Sequence, residues 1–187
     1  MSLTGAERAP LDAFLARVLL EELNAPLIEL LRRDEISDAL ERASPGCKTW
    51  LHEPWTPARE EAAREEFARL FLVPKGAAPY ASAWIEGPGE QVGEQLATIV
   101  SRALTVLGRE LSPDRPWGRL SRDHLGLILD LCAEGHMGGH PNGVTVADHL
   151  DSELLGPWVG AFGRALALRA ELPVYTATGA LLNQLFG

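Results

Sequence analysis

From Leu11 onward, apolar side chains recur at steps of three and four (Leu11, Phe14, Leu15, Val18, Leu19, Leu23), the spacing that lines one face of a helix. Asn24-Ala25-Pro26 reads as a stop and restart, because Asn caps a helix and Pro is tolerated in a first turn. Leu27, Ile28, Leu30 and Leu31 then predict a second helix, and a short third is expected over Ile36 to Ala43. Ser44-Pro45-Gly46 breaks the pattern, and Trp50 to Trp55 carries two indoles and a proline. Thr56-Pro57 opens the next helix, expected to about Leu72, with Phe67, Leu70 and Phe71 inward and Arg59, Glu60, Arg64 and Glu65 outward.

The segment from Pro74 to Trp84 holds too much Pro and Gly for a helix and ends in aromatics, so it is expected to be a loop. Beyond Gly87-Pro88-Gly89 a long helix is predicted over Glu90 to Leu111, ended by Pro113 and Pro116. Another follows from Asp123 to about Glu134. Gly135 to Gly143 has the composition of a hinge, and the last two helices are expected over Val146 to Ala170 and Pro173 to Phe186. No segment alternates as a half-buried strand does, and no repeat of constant period occurs, although Asp-His-Leu appears at both 123–125 and 148–150. The expected class is all-α with about eight helices: a helical subdomain over 1–134, a Gly-rich hinge at 135–145 and a second helical subdomain over 146–187.

Composition narrows the function classes. With 187 residues, 46% hydrophobic and 23% charged, the chain is an ordinary globular protein, and no apolar run reaches the ~18 residues of a membrane span. The N-terminus lacks the basic start and apolar core of a secretory signal, and only Cys47 and Cys132 occur, so a reducing cytoplasm is the expected compartment, without stable membrane insertion. A net charge of −9 disfavours a phosphate-tracking nucleic-acid surface and favours a basic partner.

Candidate chemistry is sparse. Ser82, His124 and Asp123 are the residue types of a hydrolytic triad, but no nucleophile-elbow signature surrounds them, and no phosphate loop is present to hold a nucleotide. Cys132, His136 and His140 lie four apart and would stack as metal ligands on an unbroken helix, which Gly135, Gly138 and Gly139 argue against. No catalytic, metal or cofactor assignment follows. Asp123-His124 stands at a helix start, either as a cap or as an exposed carboxylate–imidazole pair facing a cationic ligand. Tyr80, Ser82 and Trp84 alternate, which on an extended segment would put both rings on one side. Arg32-Arg33 reads as a solvated helix face.

Read in order, four blocks resemble the TorD/DmsD/NarJ family of redox-enzyme maturation chaperones, from about Leu11 to Phe186. Glu66-Phe67-Ala68-Arg69-Leu70-Phe71 with Pro79-Tyr80-Ala81-Ser82-Ala83-Trp84 is similar to the family's Phe-x-x-Leu-Phe helix end and aromatic-x-Ser-x-aromatic loop. Asp123-His124-Leu125-Gly126-Leu127-Ile128-Leu129 resembles its Asp-His-x-Gly-Leu-x-Leu element. Leu154-Leu155-Gly156-Pro157-Trp158 with Phe162 resembles its Pro-Trp helix, and Pro173-Val174-Tyr175 its terminal Pro-Phe-Tyr. Relatives often carry an acidic residue just before the Asp-His pair, where Leu120-Ser121-Arg122 stands here, and some carry an aromatic at the place of Lys75.

The resemblance implies a helical bundle of two subdomains joined by a hinge, as a monomer or a domain-swapped homodimer. It implies no enzyme activity, but a cytoplasmic chaperone that binds the twin-arginine signal peptide of a molybdopterin oxidoreductase precursor until its cofactor is inserted. Asp123, His124, Tyr80, Ser82, Trp84 and Leu127 would lie nearest the peptide. A nucleotide-binding regulator and a metal-responsive binding protein are the alternatives.

Overall fold

The computed structural model describes residues 4–73, 76–85, 89–110 and 120–187. Ten α-helices and no strand occur among the described residues: α1 Gly5–Leu20, α2 Ala25–Leu31, α3 Asp34–Ala43, α4 Cys47–His52, α5 Pro57–Phe67, α6 Gly89–Val106, α7 Leu125–His136, α8 Gly143–His149, α9 Val159–Arg169 and α10 Pro173–Phe186. The all-α class is as expected, and the count is close to the predicted eight. None of the described helices is long and apolar enough to cross a membrane. Pro74, Lys75, Gly87, Pro88, Pro113 and Pro116 lie outside the described residues.

The chain forms two compact units, one of Met1–Leu20 with Pro79–Trp158 and one of Glu21–Ala78 with Val159–Gly187. The Gly-rich segment 135–145 lies inside the first unit, not between the two. Its glycines serve packing and a turn. A Cβ on Gly135 would sit 2.5 Å from the Gly143 carbonyl oxygen, so the pair lets α7 and α8 touch backbone to backbone, and Gly138, at φ 74°, carries the chain out of α7.

In the first unit α1 lies along α7, burying Phe14, Leu15, Val18 and Leu19 with Ile128, Leu131 and Cys132. α1 starts at Gly5, earlier than its apolar periodicity, where Glu7 reaches back to Thr4 as in the returning half of a capping box: its carboxylate accepts from the Thr4 amide at 2.9 Å and from its hydroxyl at 2.7 Å. α6 stops at Val106, short of the predicted Leu111. Gly108, at φ 65°, closes it while the Arg109 amide donates back to the Leu104 carbonyl at 2.8 Å.

The helix predicted over Val146 to Ala170 is not continuous. α8 passes into a π-helical turn over Leu150–Leu155, and α9 begins only at Val159. Pro157 has no amide to continue the ladder, and the two units divide between Trp158 and Val159.

In the second unit α9 and α10 form a hairpin, with α3 and α4 against α10. Phe67, Phe71 and Tyr175 stack edge to face, at 5.0 and 5.7 Å between centroids. Glu66, 5% exposed, ties this cluster to the start of α10 by accepting from the Glu171 amide at 2.6 Å. The apolar spacing predicts no helix at α4. Its free N-terminal amides are satisfied from α3, where the Glu41 carboxylate accepts from Gly46 and Lys48 at 2.9 and 2.8 Å, a cap that local spacing does not display. Arg32 is not a solvated face residue: it donates to the Leu51 and Glu53 carbonyls at the end of α4, both at 2.7 Å.

Candidate functional site

Tyr80, Ser82, Asp123 and His124 come together in the first unit, where the loop before α6 crosses the start of α7. The Leu125 amide donates to the Pro79 carbonyl at 2.7 Å and the Ala81 amide to the Asp123 carbonyl at 3.1 Å, making an isolated antiparallel bridge between Tyr80 and His124. The Asp123 carboxylate accepts from the Ser82 amide at 3.0 Å. Ala81–Ala83 then turn as a 3-10 helix, so the extended alternation expected for Tyr80, Ser82 and Trp84 holds only at Tyr80.

The helix start is capped by the imidazole and not by the carboxylate. His124 is the cap: its Nδ1 accepts from the Gly126 amide at 3.1 Å, which leaves the ring proton on Nε2. Asp123 binds the loop. Neither is exposed, since Asp123 is 2% and His124 4% accessible, while Tyr80, Ser82 and Trp84 are half-buried. Leu127, 2% accessible, belongs to the core beneath. The physical reason is that Gly126 lets α7 sink against α1, its missing Cβ making room for the Leu20 side chain and the Ala16 carbonyl.

Burial acts to raise the Asp123 pKa, but hydrogen bonds from Ser121 and Ser82 outweigh it and hold the carboxyl below its ordinary value. Burial drives the His124 imidazole down to about 4, against the opposing pull of Asp123. His124 is therefore neutral near pH 7. Its ring meets Tyr80 edge to face at 4.9 Å, and burial together with the Asp123 carboxylate raises the Tyr80 phenol. This is not the geometry of a catalytic triad: the acid contacts the serine directly, and the imidazole nitrogen that would orient on the acid caps the helix.

A folded-state pKa below the unfolded 6.5 makes His124 a destabilising group in acid, because the unfolded chain binds its proton first. Stability is expected to fall as pH drops from 6.5 towards 4, by about 3 kcal/mol at most from this residue. His124→Asn keeps a capping acceptor without the titration. Urea melts at pH 7 and pH 4.5 should therefore show a smaller acid loss in the variant, and equal losses would contradict the assignment.

Cys132, His136 and His140 do not line one helix face, since α7 ends at His136. His136 Nδ1 instead pairs with Asp12 at 3.2 Å, and His140 Nδ1 accepts from the Asn142 amide at 3.2 Å. Burial raises the Cys132 thiol. Among the described residues no group of three or more His, Cys, Asp or Glu is placed to hold a metal.

Sequence reasoning passed over a buried network. Arg8 bridges Asp12 at 2.8 Å and Asp151 at 3.3 Å, and Asp12 holds His136. The hydrogen bond to Asp12 is the main influence raising the His136 pKa. The available signal was Asp12 itself, a carboxylate on the same helical face as Leu15 and Leu19. Ser121 was likewise missed as a partner of Asp123.

An all-helical protein with an aromatic loop clamped across a helix start by an Asp-His pair is the class that fold and site define. The chain belongs to the nitrate reductase delta subunit family, the NarJ/TorD-type chaperones, whose family model matches residues 33–164. The match takes in the aromatic loop, the Asp123-His124 element and the Pro157-Trp158 segment. No curated protein matches the chain.

Proposed function

We propose that this protein is a cytoplasmic chaperone that binds the twin-arginine signal peptide of a molybdoenzyme precursor and keeps the enzyme from export until its cofactor is inserted. The observation that carries this reading is membership of the nitrate reductase delta subunit family over 33–164. The acidic balance of the chain, −9, supports a basic partner.

In this account the recognition residues work in two layers. Tyr80, Ser82 and Trp84 meet the peptide from their half-buried positions, the rings offering an apolar wall to the stretch that follows the arginines. Asp123 and His124 act from beneath: the carboxylate fixes the Ser82 amide, and the neutral imidazole supports the Tyr80 ring. Leu127 backs the site from the core. Apolar burial supplies affinity, and negative charge sets approach and register.

Deletion of the gene in its own host tests the maturation role. The client oxidoreductase is expected to accumulate without molybdenum cofactor, read as molybdenum content of the purified enzyme, and restoring the gene should restore it. Full cofactor occupancy in the deletion strain would refute the role.

A further inference from the structure

A cleft of about 360 Å³ lies between α6 and α8 in the first unit, apart from the loop that Asp123 clamps. Ile99, Val106, Val146 and Leu150 contribute its apolar wall. This volume is at the lower end of the roughly 300–1,000 Å³ typical of small-molecule pockets. Such pockets are mostly apolar with a few convergent polar groups, and here the polar lining residues are Arg102, Asn142, Thr145 and His149.

Its charge runs against the rest of the chain. Asp and Glu number 26 against 17 Lys and Arg, yet no carboxylate lines the cleft. Arg102 is exposed and has no ion-pair partner among the described residues. The outer face of α6 next to it is also less polar than its sequence suggests. Thr98 and Thr105 turn their hydroxyls back onto the Glu94 and Ser101 carbonyls, both at 2.9 Å, and lie on the same surface as Val106, which is 39% exposed.

We infer that this cleft binds a small amphipathic organic acid, its apolar body against Ile99, Val106, Val146 and Leu150 and its carboxylate on the Arg102 guanidinium, with His149 as a second donor. A guanidinium holds a carboxylate through two parallel hydrogen bonds, and the apolar wall excludes water from one side of the ligand. A twin-arginine segment does not fit the same place, because Arg102 repels it. The cleft is thus a second binding site with the opposite charge preference.

Decanoate is the probe. Calorimetric titration into the full-length protein is expected to show saturable binding of one equivalent in the micromolar range, with decanol at least tenfold weaker because it lacks the charge. Arg102→Gln, at an exposed position that does not disturb the core, should weaken decanoate about tenfold and leave decanol unchanged. Val146→Trp, which fills the cleft, should abolish both. No heat with decanoate on folded protein, equal affinity for decanol, or an unaltered Arg102→Gln would each overturn the inference.

Discussion

Gly179→Ala is expected to lower the melting temperature by about 10 °C, although alanine is the better helix former by about 1 kcal/mol. The added methyl has nowhere to go. In the α9–α10 hairpin a Cβ at Gly179 would stand 2.5 Å from the Ala167 amide nitrogen and 2.6 Å from the Gly163 carbonyl oxygen, both backbone atoms. Gly163 faces it with the same problem, 2.6 Å from the Gly179 carbonyl oxygen, so neither helix can yield without the pair separating. Overpacking of a core costs roughly 1–3 kcal/mol where side chains can shift, and a backbone clash belongs at or above the top of that range. Thermal melts followed by circular dichroism check this, with Gly139→Ala as the control: its Cβ meets nothing within 4 Å, and a change within about 0.5 kcal/mol is expected there. Equal melting temperatures for the two variants would show that the hairpin is not packed this closely.

Asp123→Ala is expected to cost about 2–3 kcal/mol and to release the aromatic loop. The carboxylate accepts from the Ser82 amide, and its removal leaves that amide without its partner next to a buried helix start. Asp123→Asn keeps an acceptor of the same shape and should lose less. The acid limb separates this residue from His124. A depressed carboxyl pKa contributes stability that is fully present above the unfolded value of 3.8 and is lost as pH falls through the lower folded value. The His124 loss occurs higher, between 6.5 and about 4. Asp123→Ala should therefore flatten the pH dependence of unfolding only below about pH 4, and flattening confined to pH 5–6 would contradict the clamp. Amide hydrogen exchange should report faster exchange at Ser82 in the alanine variant.

Helix faces were legible in the sequence because apolar spacing encodes them directly. Phe14, Leu15, Val18 and Leu19 of the first stripe and the Leu125–Leu131 run both became buried faces, while Leu11 is only half-buried. Helix ends were legible where the cap is local, as at Asn24, whose side chain accepts from the Leu27 amide at 2.9 Å, and at Thr56. They were not where the cap comes from another element: Glu41 reaches α4 across a turn, and nothing in 47–52 announces it. The break in 146–170 was missed because Leu150, Leu154 and Leu155 keep an apolar spacing through a π turn. At the site, the structure brings Tyr80, Ser82, Asp123 and His124 together, but spacing could not tell an exposed carboxylate from one spent on the loop. That distinction depends on Gly126, whose lack of a side chain lets α7 bury its own first turn.

The proposed role requires recognition of a twin-arginine signal. Its most direct measurement is calorimetric titration of the signal peptide of the host's molybdoenzyme into the folded protein, beside a peptide with both arginines changed to alanine, at two salt concentrations. Micromolar or tighter binding is expected, weakened at least tenfold by losing the arginines or by Trp84→Ala, and reduced by salt in keeping with attraction to a chain of charge −9. Absence of binding by well-folded protein, or equal affinity for the arginine-free peptide, would contradict it.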